Sequence, residues 1–116
     1  MGLFDGLRRV FASDDELTSA DRHRLAEATG ADAIADVRDR SVVTLRGTVE
    51  QLTVRPRRPQ PWLEAQLSDG TGRVTLIWMG RHEIPGIEAG RELLVQGRVG
   101  VSDGVRRIHN PRYTLL

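Results

Sequence analysis

The sequence predicts a mainly β domain of five strands, arranged as a small barrel or sandwich and preceded by a helical extension. Three observations predict this fold class. Near Ser41 the spacing of apolar residues changes from helical to alternating. The segments Asp69-Gly70-Thr71-Gly72 and Ser102-Asp103-Gly104 are typical of hairpin turns, because their glycines accept a positive φ. Gly47 and Gly97 interrupt two strands, and such glycines favour the bends that close a tight barrel.

The first part of the chain has helical periodicity. Residues 1–12 carry apolar side chains at helical spacing beside Arg8 and Arg9. Ser13 and Glu16 have the spacing of a capping box, so a peripheral helix is expected from about residue 14 to residue 29, with Gly30 as its end. We assign residues 1–33 to the helical extension and residues 34–116 to the β domain.

Alternating apolar residues place the five strands. They are expected at about residues 41–50, 62–68, 73–79, 91–101 and 105–115. Leu45 of the first strand and Trp78 of the third share the parity of the inward-facing residues, so we expect both in the core. Ile34 and Val37, which precede the first strand, are expected to help cover one end of the domain.

Composition excludes several classes of protein. The 116 residues are 39% apolar and 28% charged, which suits one small domain. No apolar run reaches the roughly 20 residues of a membrane-spanning helix, and no secretory signal is visible. The absence of cysteine excludes disulfides and cysteine-ligated zinc. We therefore expect a protein of the cytoplasm.

The charges are unevenly distributed along the chain. Arginine supplies all 17 positive charges, and the net charge is −3 for residues 1–40 and +4 for residues 41–116. A basic second part suggests an anionic partner, although a genome rich in G and C would also favour arginine codons. The loop after the first strand concentrates Arg55, Arg57 and Arg58 among three prolines.

Catalytic motifs are not found. His23, His82 and His109 lie on three different predicted elements without the spacing of metal ligands. The sequence has neither a nucleophile elbow nor a phosphate-binding P-loop, and the glycine turn at Gly70 joins two strands instead of opening a helix. We predict a non-catalytic protein that uses no metal and no cofactor.

The β domain resembles the OB-fold, a five-stranded Greek-key barrel. The residues that carry the resemblance are Leu45-x-Gly47-x-Val49, Leu67 to Trp78, Gly90 with Leu93 to Val99, and Asn110 to Tyr113. More narrowly, it is similar to the OB (wedge) domain of RecG-type helicases and to small stand-alone actinobacterial OB-fold proteins of the nucleic-acid-binding kind. The chain has no helicase motor. Pro85 and Gly86 lie where many OB-folds have a helix, and they favour a turn there.

The resemblance implies a binding face over strands two and three, flanked by the loops between strands one and two and between strands four and five. We expect Trp62 to stack on bases or else to cover the barrel mouth, and Tyr113 to help close the barrel. Some of the arginines near the second hairpin, beside His109, should pair with Glu50, Glu64 or Glu92. The candidate nucleic-acid-binding residues are Arg46, Arg55, Arg57, Arg58, Trp62, Arg73, Thr75, Arg98, Arg106 and Arg107.

The predicted function is weak binding of single-stranded or branched nucleic acid, DNA or RNA, with little sequence specificity. The alternative is a structural or protein-interaction module whose residues 1–12 mediate self-association or contact with another protein. Membrane-surface contact through the same residues is the least favoured interpretation.

Overall fold

The computed structural model describes residues 31–116, which fold as a closed β-barrel with a short 3₁₀ turn before it. The 3₁₀ turn covers Ile34–Asp36. The strands are β1 (Val42–Arg55), β2 (Trp62–Ser68), β3 (Arg73–Met79), β4 (Glu92–Ser102), β5 (Val105–His109) and β6 (Arg112–Leu115). The mainly β class is confirmed. The predicted helix at about residues 14–29 lies outside the described residues, as do residues 1–12. Of the extension assigned to residues 1–33, only residues 31–33 are described, and they are not helical.

The strand pairings form a closed circuit. The order around the barrel is β1-β2-β3-β5-β4, and β4 returns to pair with β1. All of these pairings are antiparallel except that between β3 and β5, which is parallel. β6 is not part of this circuit. It pairs with residues 93–96 of β4, next to the residues 99–102 that pair with β5. A closed circuit leaves no long unpaired edge in these five strands, which is how small barrels avoid edge-to-edge association.

β1 closes the barrel because it is long enough to pair with two neighbours. Its first half pairs with β4 and its second half with β2, and Thr48 takes part in both pairings. At Gly47, beside this change of partner, a Cβ atom would lie 2.5 Å from the carbonyl oxygen of Ser68. Only glycine allows that approach. The register of the β1–β2 pair shifts between Val49 and Gln51. This irregularity bends β1 a few residues after Gly47.

The prediction of one continuous fifth strand is wrong. Asn110 adopts a left-handed φ of 51°, and Pro111 has no amide hydrogen to continue a ladder. The Asn110 amide donates to the carbonyl of Ile77 (2.6 Å), and its side-chain oxygen accepts from the amide of Met79 (3.0 Å). These bonds fix a corner on β3, and the chain then leaves β3 to form β6 on β4.

The core fills the barrel with the inward residues of every strand from β1 to β5. Leu45 and Trp78 belong to it, as predicted, and the Trp78 indole donates to the Pro111 carbonyl at 3.2 Å. Ile34 is fully buried in the core, and Val37 packs against it. The β3–β4 connection contributes Ile84 and Ile87 and contains turns without a helix, as Pro85 and Gly86 predicted. In the part of the chain described here, no helix is long and apolar enough to cross a membrane.

The β2–β3 turn is held by one buried carboxylate. Asp69 Oδ1 accepts from the amide and hydroxyl of Thr71 (2.8 and 2.6 Å) and from the amide of Gly72 (3.2 Å). Its Oδ2 accepts from the amide of Ile34 (2.9 Å). Asp69 is fully buried, so these donors replace the water that its charge loses. The same side chain thus builds the turn and fixes the 3₁₀ segment to the barrel.

Candidate nucleic-acid interface

The predicted binding face over β2 and β3 continues onto β5, because β5 pairs in parallel with β3. Across its middle, Gln66, Thr75 and Arg107 occupy adjacent positions on the three strands. The Gln66 amide donates to the Thr75 hydroxyl at 3.0 Å, and Thr75 is only 7% exposed. Arg107 is exposed. Seven residues of β2, at about 3.3 Å each, give the face a length of roughly 20 Å.

One end of this face, which we call the loop end, comprises residues 55–62 and His109. The connection between β1 and β2 projects here, and the amide of Gly80 donates to the Pro61 carbonyl at 2.8 Å, which fixes its return to the barrel. The guanidinium carbon of Arg57 lies over the ring of Trp62, 5.2 Å from its centroid. The His109 ring is perpendicular to the same indole, with centroids 6.0 Å apart.

The arginines of the loop end differ in their partners. Arg55 Nε lies 3.4 Å from Glu64 Oε2, so its charge is largely balanced. Within residues 31–116, Arg57 and Arg58 have no carboxylate within ion-pair distance, and both are exposed. The loop end therefore presents two uncompensated positive charges beside a half-buried tryptophan.

The other end of the face, which we call the hairpin end, comprises Glu50, residues 70–73 and residues 104–106. These residues line an open groove of about 560 Å³. Arg73 Nε lies 2.6 Å from Glu50 Oε1, and Arg106 donates to the Arg73 carbonyl at 3.3 Å. The positive groups of the hairpin end are thus engaged by the protein itself.

The prediction that Arg46 lines an accessible face is wrong. Arg46 points away from the core, as its parity requires, but it is only 1% exposed. Its Nη2 lies 3.2 Å from Oε2 of Glu92, which is also buried and whose Oε1 accepts from the Thr48 hydroxyl at 2.8 Å. A buried guanidinium requires such compensation, so Arg46 is a structural residue of the β1–β4 pair.

Arg98 lies beside the face, on β4. It donates to the Arg40 carbonyl at 2.5 Å and thereby fixes the segment before β1. Its partner across the sheet is Val42 of β1, so it lies outside the β2–β3–β5 face.

The three acids expected to pair with arginines do so, but with other arginines. Glu50, Glu64 and Glu92 pair with Arg73, Arg55 and Arg46. The expected partners Arg98, Arg106 and Arg107 form none of these pairs. The assignment failed because antiparallel register, which sequence spacing does not reveal, decides which side chains lie opposite one another.

The contact of His109 with Trp62 is not visible in the sequence. The two residues lie far apart along the chain, and they meet because β5 pairs in parallel with β3, which places His109 beside Ile77. Tyr113 packs edge-on against Trp78, with ring centroids 5.9 Å apart, and is 41% exposed.

No group of three metal-ligating side chains occurs among residues 31–116.

Comparison with known proteins gives no match to a family model and no match among curated proteins. Solved structures do match. RecG bound to a three-way DNA junction aligns with 72% of this chain at 26% identity and a TM-score of 0.62, and the match covers 12% of the RecG chain. The resemblance to RecG is therefore confirmed in three dimensions, while the likeness to small actinobacterial proteins stays a prediction.

Two further structures share the fold at lower identity. The HINb domain of p204 aligns with 78% of this chain at 14% identity and a TM-score of 0.60, over 49% of its own chain. A replication protein A heterotrimer bound to ssDNA aligns with 82% of this chain at 14% identity and a TM-score of 0.51, over 75% of its own chain. The barrel is therefore an OB-type barrel.

Proposed function

We propose that this protein is a non-catalytic module that binds unpaired strands of nucleic acid, single-stranded or at branches, with little sequence preference. The strand would run along the outward face of β2, β3 and β5, from the loop end towards the hairpin end. Arg57, Arg58 and Arg107 would contact phosphates, and Trp62 would stack on a base.

The observation that carries this proposal is that two arginines of the β1–β2 loop form no ion pair with a carboxylate of the described residues. Arg57 and Arg58 are exposed and have no carboxylate partner in the described chain. A guanidinium in that state breaks no ion pair on moving to a phosphate, and each phosphate contact releases condensed counterions. Surface arginines that already pair with Glu50 or Glu64 would have to exchange one anion for another.

Structural likeness supports the same function. RecG was solved on a three-way DNA junction, and replication protein A was solved on ssDNA. In OB-folds generally, the face over the second and third strands and the loops beside it bind oligonucleotides. Here that face carries one tryptophan and, among residues 31–116, three exposed arginines without a carboxylate partner, which favours weak, salt-sensitive binding over tight binding.

The first test is fluorescence anisotropy with a labelled strand of ~20 nucleotides, a duplex of the same sequence and a three-way junction. Binding is measured at ~50 and ~200 mM salt. We expect micromolar binding of the single strand and the junction at the lower salt, with a steep loss at the higher salt. Absence of binding to all three DNAs at ~100 μM protein would refute the proposal.

The assignment of the loop end is tested with Arg57→Ala and Arg58→Ala combined. We expect single-strand affinity to fall on the order of tenfold at ~50 mM salt, and the slope of log K against log salt to decrease by about 1.4. The matched control combines Arg38→Ala with Arg112→Ala, which removes the same charge from exposed positions that belong to neither end of the face. An equal loss in the control would assign binding to net charge instead of the loop end.

A further inference from the structure

The stacking surface of Trp62 is already occupied in the free protein. Arg57 covers the indole at 5.2 Å, inside the roughly 6 Å range of a cation–π contact. His109 meets the same indole at a right angle and belongs to a strand of the barrel. The indole is therefore positioned by the barrel on one side and covered by a loop side chain on another.

Arg57 suits the role of a removable cover better than its neighbours do. Arg55 is engaged by Glu64, and among the described residues only Arg57 lies over a tryptophan ring. The Arg57 amide donates to the Arg55 carbonyl at 2.8 Å, so the backbone of this part of the loop is tied close to β1. The side chain can therefore exchange partners without a large movement of the loop.

We propose that the Arg57–Trp62 contact makes Arg57 a specificity-determining residue that favours unpaired strands over duplex. This inference rests on the proposed function and names its substrate preference. A phosphate of either substrate attracts the Arg57 guanidinium away from the indole. Only an unpaired strand then supplies a base to take the vacated face, because the bases of a duplex are stacked on one another.

Binding of a single strand and binding of a duplex differ in what replaces the Arg57 contact on the Trp62 indole. With a single strand, the cation–π contact is replaced by base stacking, which contributes more than an exposed cation–π contact. With a duplex, the contact is lost and the indole is left to water. The Arg57–Trp62 contact therefore reduces the gain that Arg57 makes on a phosphate of the paired form, and not the gain on an unpaired strand.

The test is Trp62→Leu, measured by anisotropy on a single strand and on a duplex of the same sequence. For the single strand we expect affinity to fall about 5- to 100-fold, since stacking is lost. For the duplex we expect affinity to rise about 2- to 5-fold, since Arg57 no longer has to leave the indole. Trp62→Phe, which keeps a ring for both contacts, should lie between wild type and Trp62→Leu on both substrates.

A second measurement uses the free protein and does not depend on nucleic acid. Acrylamide quenching of tryptophan fluorescence should increase in Arg57→Ala, because the indole becomes uncovered, and should not change in the matched control Arg58→Ala. Trp78 is 6% exposed and contributes a constant background. Equal quenching in both variants would show that Arg57 does not cover Trp62 and would overturn the inference.

The outcomes separate the two proposals. A wild type that binds no DNA refutes the proposed function and the specificity role together. A wild type that binds the single strand, with a Trp62→Leu variant whose duplex affinity is unchanged or lower, overturns only the role of Arg57. Weaker single-strand binding together with tighter duplex binding supports both.

Discussion

The two ends of the candidate face use similar residues in different ways. At the hairpin end, arginine and acid lie side by side, and the buried Asp69 accepts four hydrogen bonds from its own turn and the 3₁₀ segment. At the loop end, Arg57 and Arg58 face no carboxylate in the described chain, and one of them rests on an indole. The hairpin end satisfies its polar groups internally, whereas the loop end leaves two cations available.

This difference shows that a count of arginines does not measure an interface. The whole chain has a net charge of only +1, so its field is weak. What matters is which guanidinium groups remain without an anion. An exposed ion pair contributes little to stability. However, its arginine must break that pair before it can contact a phosphate.

The largest expected effect lies at the hairpin end and concerns stability. Asp69→Ala should lower the free energy of unfolding by about 3 kcal/mol, because four donors, three of them backbone amides, lose their buried acceptor. The measurement is urea denaturation followed by circular dichroism.

Asp69→Asn is the graded control for this change. If its amide oxygen occupies the Oδ1 position, it still accepts from Thr71 and Gly72, but its amide nitrogen then faces the Ile34 amide, donor against donor. We expect a loss of about 1–2 kcal/mol. Equal stability of Asp69→Ala and wild type would contradict the assignment of this carboxylate as the anchor of the hairpin end.

The second prediction concerns a substitution that leaves an arginine of the hairpin end without an anionic partner, as Arg57 and Arg58 are at the loop end. Glu50→Gln removes the negative charge that pairs with Arg73 and leaves its guanidinium at most a neutral hydrogen bond at this position. Single-strand affinity should rise about 2- to 5-fold at ~50 mM salt, and the salt slope should steepen by about 0.7, the value for one added phosphate contact. Anisotropy titrations at several salt concentrations measure both quantities.

Glu83→Gln is the matched control, because it changes the net charge equally at an exposed position of the β3–β4 connection. If Glu83→Gln raises affinity as much as Glu50→Gln does, general charge and not the release of Arg73 explains the gain.

The smallest effect is expected when the hairpin pair is removed entirely. Glu50→Gln combined with Arg73→Gln leaves the net charge unchanged and removes a pair that is already self-compensated. Single-strand affinity should stay within about twofold of wild type, measured by the same titration. A tenfold loss would show that Arg73 contacts the nucleic acid despite Glu50, and the comparison of the two ends would fail.

Much of the barrel could be predicted because its signals are local. β2 and β3 have the predicted bounds, since alternating residues and the Asp69–Gly72 turn define them without reference to distant segments. Gly47 was correctly singled out, although the reason is the close approach of the Ser68 carbonyl. The corner at Asn110 was missed although Asn110-Pro111 is a turn signal, because the residues on both sides of it were assigned to one strand.

The candidate site was less predictable because its properties are not local. The loop arginines were found from composition, but whether each is paired depends on register across strands, as Arg55 with Glu64 shows. The burial of Arg46 and the contact between Trp62 and His109 likewise depend on which strands become neighbours. Parity assigns a side chain to the outward surface but does not say whether that surface is accessible.

The double pairing of β1 also has a consequence for the order in which the fold can form. β1, β2 and β3 are consecutive antiparallel strands, so their pairings close short loops. The pairing of Val42 with Arg98 joins distant parts of the chain, and such non-local contacts slow folding. During synthesis the Arg57–Trp62 part of the loop end can therefore form on β1 and β2, while the contact of His109 and the closure of the barrel wait until the ribosome has released β4 and β5.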